Sequence, residues 1–212
     1  MKIGILGSGL MGGTLGRLWA RAAHEVAFAY ARTPGKLDAL AQETGGTCGS
    51  VAEVVARSEV LLLSVHWRQV DDVLAEAGDL AGKVVLNCCV PLDETDTNLV
   101  LGPDTSGAEV LLARCPKARW VGCFNTSPSE SLDLVFARKG QDDPPQLLVY
   151  GDDSDALEMA HGLIRDIGFA PCPAGGLRTA RFVEPFAMVT AVLAYDQPGG
   201  PALTYRFEKL RN

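Results

Sequence analysis

This sequence predicts an α/β fold built on a doubly wound, mainly parallel sheet, on three observations. Short apolar runs of strand length alternate with amphipathic runs of helix length through the first two thirds of the chain, as crossover helices between parallel strands require. The first apolar run passes directly into Gly7-Ser8-Gly9-Leu10-Met11-Gly12, a strand-to-helix turn with glycines at its first, third and sixth positions. The 212 residues suffice for one large α/β unit and are too few for two full ones.

Taken in order, strands are expected at Lys2 to Leu6, His24 to Tyr30, near Thr47, Glu59 to Val65, Lys83 to Cys88 and Arg119 to Phe124. Helices fit between them at Met11 to Ala23, Gly35 to Glu43, Ser50 to Ala56, Gln69 to Ala77 and Gly107 to Ala113. The first helix carries Leu15, Leu18, Trp19 and Ala22 on one face, the stripe that packs on a sheet. Val90 to Ser106, with Pro91, Pro103 and four acids, has no periodicity and follows the carboxyl end of a strand, where loops line ligand crevices. After a loop at Lys139 to Pro145 come a strand at Gln146 to Tyr150 and a helix from Asp155 to Ile167. Asp152, Asp153 or Ser154 would cap that helix and Gly168 would end it. Arg178 to Tyr195 reads as a helix rich in Phe182, Val183, Phe186, Met188, Val189, Val192 and Leu193, an apolar surface that needs cover from the main body or from a second copy. Residues 1–212 are therefore read as a single unit, with a core at 1–125 and an extension at 126–212 that completes the sheet and forms a small C-terminal helical cap.

Composition narrows the class. With 47% apolar and 21% charged residues the chain is ordinary for a soluble globular protein, and no apolar run is long enough to span a membrane. A net charge of -7 argues against nucleic acid, whose partners carry basic footprints. The six cysteines lack metal-ligand spacing, and Cys88-Cys89 reads as core lining at a strand end, so no metal site is assigned. Because the first strand begins at residue 2, a cytoplasmic location is expected.

The glycine turn carries the chemistry. Gly7 permits the tight turn, Gly9 lets main-chain N–H groups approach a pyrophosphate, and Gly12 lets the helix pack close to the sheet, the dinucleotide-binding arrangement of Rossmann-type domains. The phosphates would sit on the helix N-terminus over Ser8, Leu10 and Met11. An acid at the end of the second strand would accept hydrogen bonds from the ribose diol of NAD; here the chain reads Tyr30-Ala31-Arg32-Thr33-Pro34-Gly35-Lys36. Arg32, Thr33 and Lys36 suit a 2′-phosphate, so NADP(H) is the expected cofactor.

Several further motifs resemble the NADPH-dependent coenzyme F420 reductase family. They are Arg32-Thr33-Pro34, Thr105-Ser106-Gly107-Ala108-Glu109, Phe124-Asn125-Thr126, Tyr150-Gly151-Asp152-Asp153, and Gly175-Gly176-Leu177-Arg178-Thr179-Ala180-Arg181-Phe182-Val183-Glu184-Pro185. The resemblance implies hydride exchange between NADP(H) and a small redox acceptor, with coenzyme F420 as a candidate second substrate. It puts the nicotinamide beside Ser64-Val65-His66-Trp67 and Cys89-Val90-Pro91, with Asn125 nearby, and the second ligand near Trp67, Leu177 and Arg181. The chain departs from the family at His66, where members commonly have proline, and in its acidic loop from Asp93 to Asp104.

His66 is either a packed histidine beside Trp67 or a general acid for a carbonyl or imine substrate, the sole catalytic candidate. Arg181 either pairs with Glu184 three residues on or reaches the second ligand. Two alternatives to the deazaflavin reaction stay open: a carbonyl or imine reductase using His66, and a non-catalytic NADP(H)-sensing module. The expected assembly is a homodimer, with no membrane partner.

Overall fold

The computed structural model describes residues 1–210; Arg211 and Asn212, the end of the extension, lie outside them. Eight strands form one sheet in the order β3-β2-β1-β4-β5-β6-β7-β8. They are β1 (Lys2–Leu6), β2 (Glu25–Ala29), β3 (Thr47–Cys48), β4 (Val60–Leu63), β5 (Val84–Asn87), β6 (Arg119–Gly122), β7 (Gln146–Gly151) and β8 (Ala170–Gly175). All neighbours are parallel except β6 and β7, where Val121 faces Gly151 and Gly122 faces Tyr150. Chain direction across the sheet reverses between β1 and β4, the switch point at which such sheets bind ligands.

Period-two side chains divide the core into two layers. Ile3, Ile5, Val60 and Leu62 face one side, under α1 (Leu10–Arg21), α2 (Lys36–Thr44), α6 (Ser129–Ala137) and α7 (Ser154–Asp166). Leu61, Leu63 and Val85 face the other, under α3 (Val51–Arg57), α4 (Val70–Ala77), α5 (Gly107–Arg114) and α8 (Ala180–Tyr195). Because both faces are covered, β4 and β5 are buried at every position, which explains their unbroken apolar runs. Trp19 on α1 is fully buried, stacks edge-on to Phe124, and donates its indole N–H to Leu163 O on α7 at 3.1 Å. Without that acceptor the indole N–H would be a buried orphan.

Two elements escape the sequence pattern. Helix α6 follows the loop after β6, where Ser129–Ala137 is short and its apolar residues Leu134 to Ala137 run consecutively, without a helical period. Strand β8 holds Pro171 and Pro173, which remove ladder donors and are tolerated because β8 lies at the sheet edge. The last helix begins at Ala180 rather than Arg178, since Leu177–Thr179 forms a 3-10 turn first. Asp153 supplies the α7 cap, accepting from Ala156 N at 2.8 Å, and Asp152 instead accepts from Leu177 N at 3.0 Å.

Candidate dinucleotide site

The carboxyl ends of β1, β2, β4 and β5 open on a groove of about 540 Å³. Its floor is the glycine turn. Gly7 adopts φ 107°, a left-handed conformation that favours glycine. Its N–H donates to Ala29 O at 3.1 Å, and Ser8 N–H donates to Tyr30 O at 2.9 Å, fastening the turn to the end of β2. A Cβ on Gly12 would overlap Gly7 O and Ser64 Oγ, so this glycine lies beneath the turn and sets how closely α1 meets β4. Gly9 differs: a Cβ there would meet nothing within 4 Å. The fold does not need glycine at that position, whereas a ligand lying against the backbone would. Helix α1 also starts with no side-chain cap and no acid in its first turn, leaving its N–H groups and positive dipole end open to an anion.

At the β2 rim, Tyr30 takes φ 59°, turning the chain so that Arg32, Thr33 and Lys36 line the groove. Among the described residues neither Arg32 nor Lys36 has an ion-pair partner, and no acid stands between them. Among the described residues, Arg114 pairs with Asp71 and Arg206 with Asp143, while Arg57, Arg68, Arg138 and Arg178, like Arg32, carry no ion pair. Two uncommitted cations beside an open helix N-terminus fit a phosphorylated ribose.

The opposite end is lined by Ser64, Val65, His66 and Trp67 after β4, by Cys88, Cys89 and Val90 after β5, and by Asn125, Ser127 and Ser129 after β6. Gly122 has no side chain because the Tyr150 ring occupies that space. Tyr150 OH thereby accepts the Asn125 side-chain N–H at 2.9 Å, leaving Asn125 Oδ1 without a partner; Ser127 Oγ is likewise unpaired. An orphaned carbonyl acceptor there matches the N–H donors of a carboxamide such as that of nicotinamide. Burial pushes the Cys89 thiol up to about 12 and the Cys88 thiol well above its ordinary value, so both stay protonated at neutral pH and line the wall. His66 Nδ1 lies 3.2 Å from the Asp96 carboxylate, which also lines the groove.

Three expected positions lie elsewhere. Pro91 turns behind the wall against Gly107, its ring beside the position a Gly107 Cβ would take. Leu177 is 3% exposed and sits in the core with Ala180 and Val183. Arg181 makes no hydrogen bond or ion pair with Glu184; its guanidinium is held by Glu109 through two bonds of 2.8 and 2.7 Å. Glu184, 2% exposed, accepts from Gly107 N at 2.8 Å and Ala108 N at 3.1 Å, capping α5 from α8. Burial raises the Glu184 carboxyl to about 7, and the two N–H donors pull the other way. The Ser106-Gly107-Ala108-Glu109 and Arg181-Phe182-Val183-Glu184 motifs are thus two halves of one clamp behind the groove. Tyr195, at the end of the helix whose apolar surface calls for cover from the main body or a second copy, also lines the groove and donates to Glu130 at 3.0 Å.

Fold and groove together define a Rossmann-type α/β architecture with a candidate dinucleotide groove. Residues 2–91 match the family described as NADP oxidoreductase, coenzyme F420-dependent, which bears out the resemblance read from the motifs for the nucleotide-binding half of the chain. That match covers less than half of the chain. Metalloreductase STEAP3 of Rattus norvegicus is 28% identical over 186 residues, covering 86% of this chain; the chain spans only 36% of that relative's length. A candidate F420-dependent NADP-reductase from Arthrobacter sp. FB24 superposes with a TM-score of 0.87 at 23% identity, covering 99% of this chain and 100% of that one. A reductive aminase from Aspergillus terreus, solved with NADPH and ethyl levulinate, gives 0.67 at 18% identity, covering 91% of this chain and 61% of that one. At these identities the two structures show a shared fold. No helix among the described residues is long and apolar enough to cross a membrane.

Proposed function

We propose that this protein exchanges hydride between NADP(H) and a second small redox molecule, for which the family resemblance suggests a deazaflavin such as coenzyme F420. The observation that carries the reading is the pair of uncommitted cations, Arg32 and Lys36, lining the same groove as the open Gly9 face. Arg32, Thr33 and Lys36 would hold the 2′-phosphate, the α1 N-terminus with Ser8 to Met11 the pyrophosphate, and Asn125 Oδ1 the carboxamide. Val65, Trp67 and Val90 would shield the ring from water, as stacking two reactants at contact distance requires. Bound NADPH supplies the hydride; the protein supplies orientation and exclusion of solvent. The absorbance of NADPH, followed with F420, flavins, ferric chelates, quinones and imines in turn, tests this reading. Turnover of at least one acceptor is expected, and tight NADPH binding with no turnover of any would favour a sensor.

We also propose that the chain forms a homodimer through α8. Phe182, Val189 and Leu193 on that helix are 69%, 52% and 50% exposed, an apolar strip with no partner inside the fold. Sedimentation should give a dimer, and Phe182→Glu should shift it to monomer. A monomer in the unsubstituted protein would remove the assignment.

A further inference from the structure

The loop between β5 and α5 is more ordered than its composition suggests. Asp93 is its hub: the carboxylate accepts from Thr97 N at 3.0 Å, Thr95 N at 3.2 Å, Thr95 Oγ1 at 2.8 Å and Asn98 Nδ2 at 2.8 Å. Those donors, Asn98 first, hold its carboxyl well below the usual carboxylate range. Asp93 and Asn98 are also joined through the backbone at 2.9 Å, and Leu92 bridges Leu99, closing the loop at its base. The tip is Asp96, with φ 57° and its N–H on Asp93 O at 3.1 Å. A left-handed aspartate at the apex of a self-bonded loop is a fixed position.

That tip meets His66. The histidine backbone is anchored by the turn Trp67–Gln69, whose Gln69 N–H donates to His66 O at 2.9 Å. Its Nδ1 faces Asp96 at 3.2 Å, and Nε2 has no protein partner among the described residues. Both residues line the groove at the end where Asn125 and Val90 also stand. An imidazole whose Nδ1–H is held by a carboxylate has its tautomer and ring orientation fixed, with Nε2 available to a reacting atom. A solvent-exposed ion pair kept only for stability would contribute little, and would not call for a loop folded around an aspartate hub.

We propose that Asp96 is a positioning residue that holds His66 as the proton donor of the reaction, and that the second substrate is an organic electrophile with a C=N or C=O group. This rests on the NADP(H) reading above and narrows its acceptor, excluding a bare metal ion. In the step, the electrophilic carbon of the acceptor receives the hydride from the reduced nicotinamide and a C–H bond forms. The C=N or C=O π pair moves onto the heteroatom, which takes the proton from Nε2 of the protonated His66 imidazolium, leaving the neutral Nδ1–H tautomer that Asp96 holds. The acceptor is reduced by two electrons, NADP⁺ is left, and solvent returns the proton to His66. A deazaflavin, a cyclic imine and a simple ketone all satisfy this balance.

Two readouts test it. The ring nitrogens of His66, followed by ¹⁵N NMR on the protein alone, should show the Nδ1–H tautomer in the unsubstituted chain and lose that preference in Asp96→Asn; Asp96→Glu should restore part of it. With NADPH and the best organic acceptor, His66→Gln should lower kcat on the order of 100-fold and Asp96→Asn about tenfold, with smaller changes in the NADPH constant. An unchanged tautomer and unchanged kcat in Asp96→Asn overturn the positioning role. Turnover of ferric chelates alone, or of no organic acceptor by a protein that binds NADPH, overturns the substrate class. Failure to bind NADPH at all would instead sink the parent reading, and the NMR comparison still decides the role of Asp96.

Discussion

Replacing Glu184 by Gln separates the two demands placed on that residue. Its carboxylate satisfies Gly107 N at 2.8 Å and Ala108 N at 3.1 Å from a position 2% exposed. A carboxamide has one acceptor oxygen, so one backbone N–H would face an NH₂ group and lose its partner, a cost of about 1–3 kcal/mol. In a chain of this size each kcal/mol lowers Tm by roughly 2–4 °C. The pH dependence is the sharper signal. Burial raises the carboxyl from 4.5 to about 7, so between those values the folded protein binds a proton that the unfolded chain has released. Stability from this group is therefore fully present below pH 4.5 and is lost as pH rises through 7. That interval corresponds to roughly 3 kcal/mol at most. Glutamine has no such slope, and the other carboxylates cancel when the two proteins are compared. Urea unfolding of both at pH 5 and pH 8 should thus show a larger gap at pH 5. A gap that is constant, or that grows with pH, would mean that the two N–H donors outweigh burial and that Glu184 is an ionised helix cap.

Three further substitutions probe the groove and its support. Arg32→Asp should raise the NADPH dissociation constant about 10- to 100-fold, from loss of charge-assisted bonds of ~1.5–3 kcal/mol, with little change for NADH in a fluorescence titration. Gly12→Ala places a Cβ on Gly7 O and Ser64 Oγ; chemical denaturation should show a loss of about 1–3 kcal/mol, and NADPH binding should weaken with it. Arg181→Lys breaks the two-pronged bond to Glu109 and should cost about 1 kcal/mol by thermal unfolding while leaving the KM for the second substrate unchanged; a raised KM would return Arg181 to the ligand site.

The nucleotide half was legible because its signals are local. Gly7, Gly9 and Gly12 lie within one turn, and Arg32, Thr33 and Lys36 follow the end of one strand, so spacing alone predicted that they would line one groove or lie just beneath it. Strands β1, β2, β4 and β5 announce themselves as apolar runs for the same reason, whereas β3 is only Thr47–Cys48. Residues that act across the fold were less readable. The Glu184 bonds to Gly107 and Ala108 join positions about 77 residues apart, so both motifs were visible while their pairing was not. For Arg181 the sequence offers Glu184 or a ligand, because its actual partner Glu109 lies 72 residues away. Asp96 appeared only as one of four acids in an aperiodic loop; its position depends on the hydrogen bonds that gather on Asp93. Asn125 stands out in the sequence only as part of a motif; its orphaned oxygen follows from Tyr150 filling the space that Gly122 leaves.

Selectivity for NADP(H) depends on recognition of a phosphate on the adenosine ribose by Arg32, Thr33 and Lys36. Isothermal titration of the protein with adenosine 2′,5′-bisphosphate and with adenosine 5′-monophosphate measures that contact without the nicotinamide half or any acceptor. The prediction is a constant at least about tenfold tighter for the bisphosphate, a difference that shrinks at high salt as charge is screened. Equal binding of the two, or a preference for the monophosphate, would contradict it.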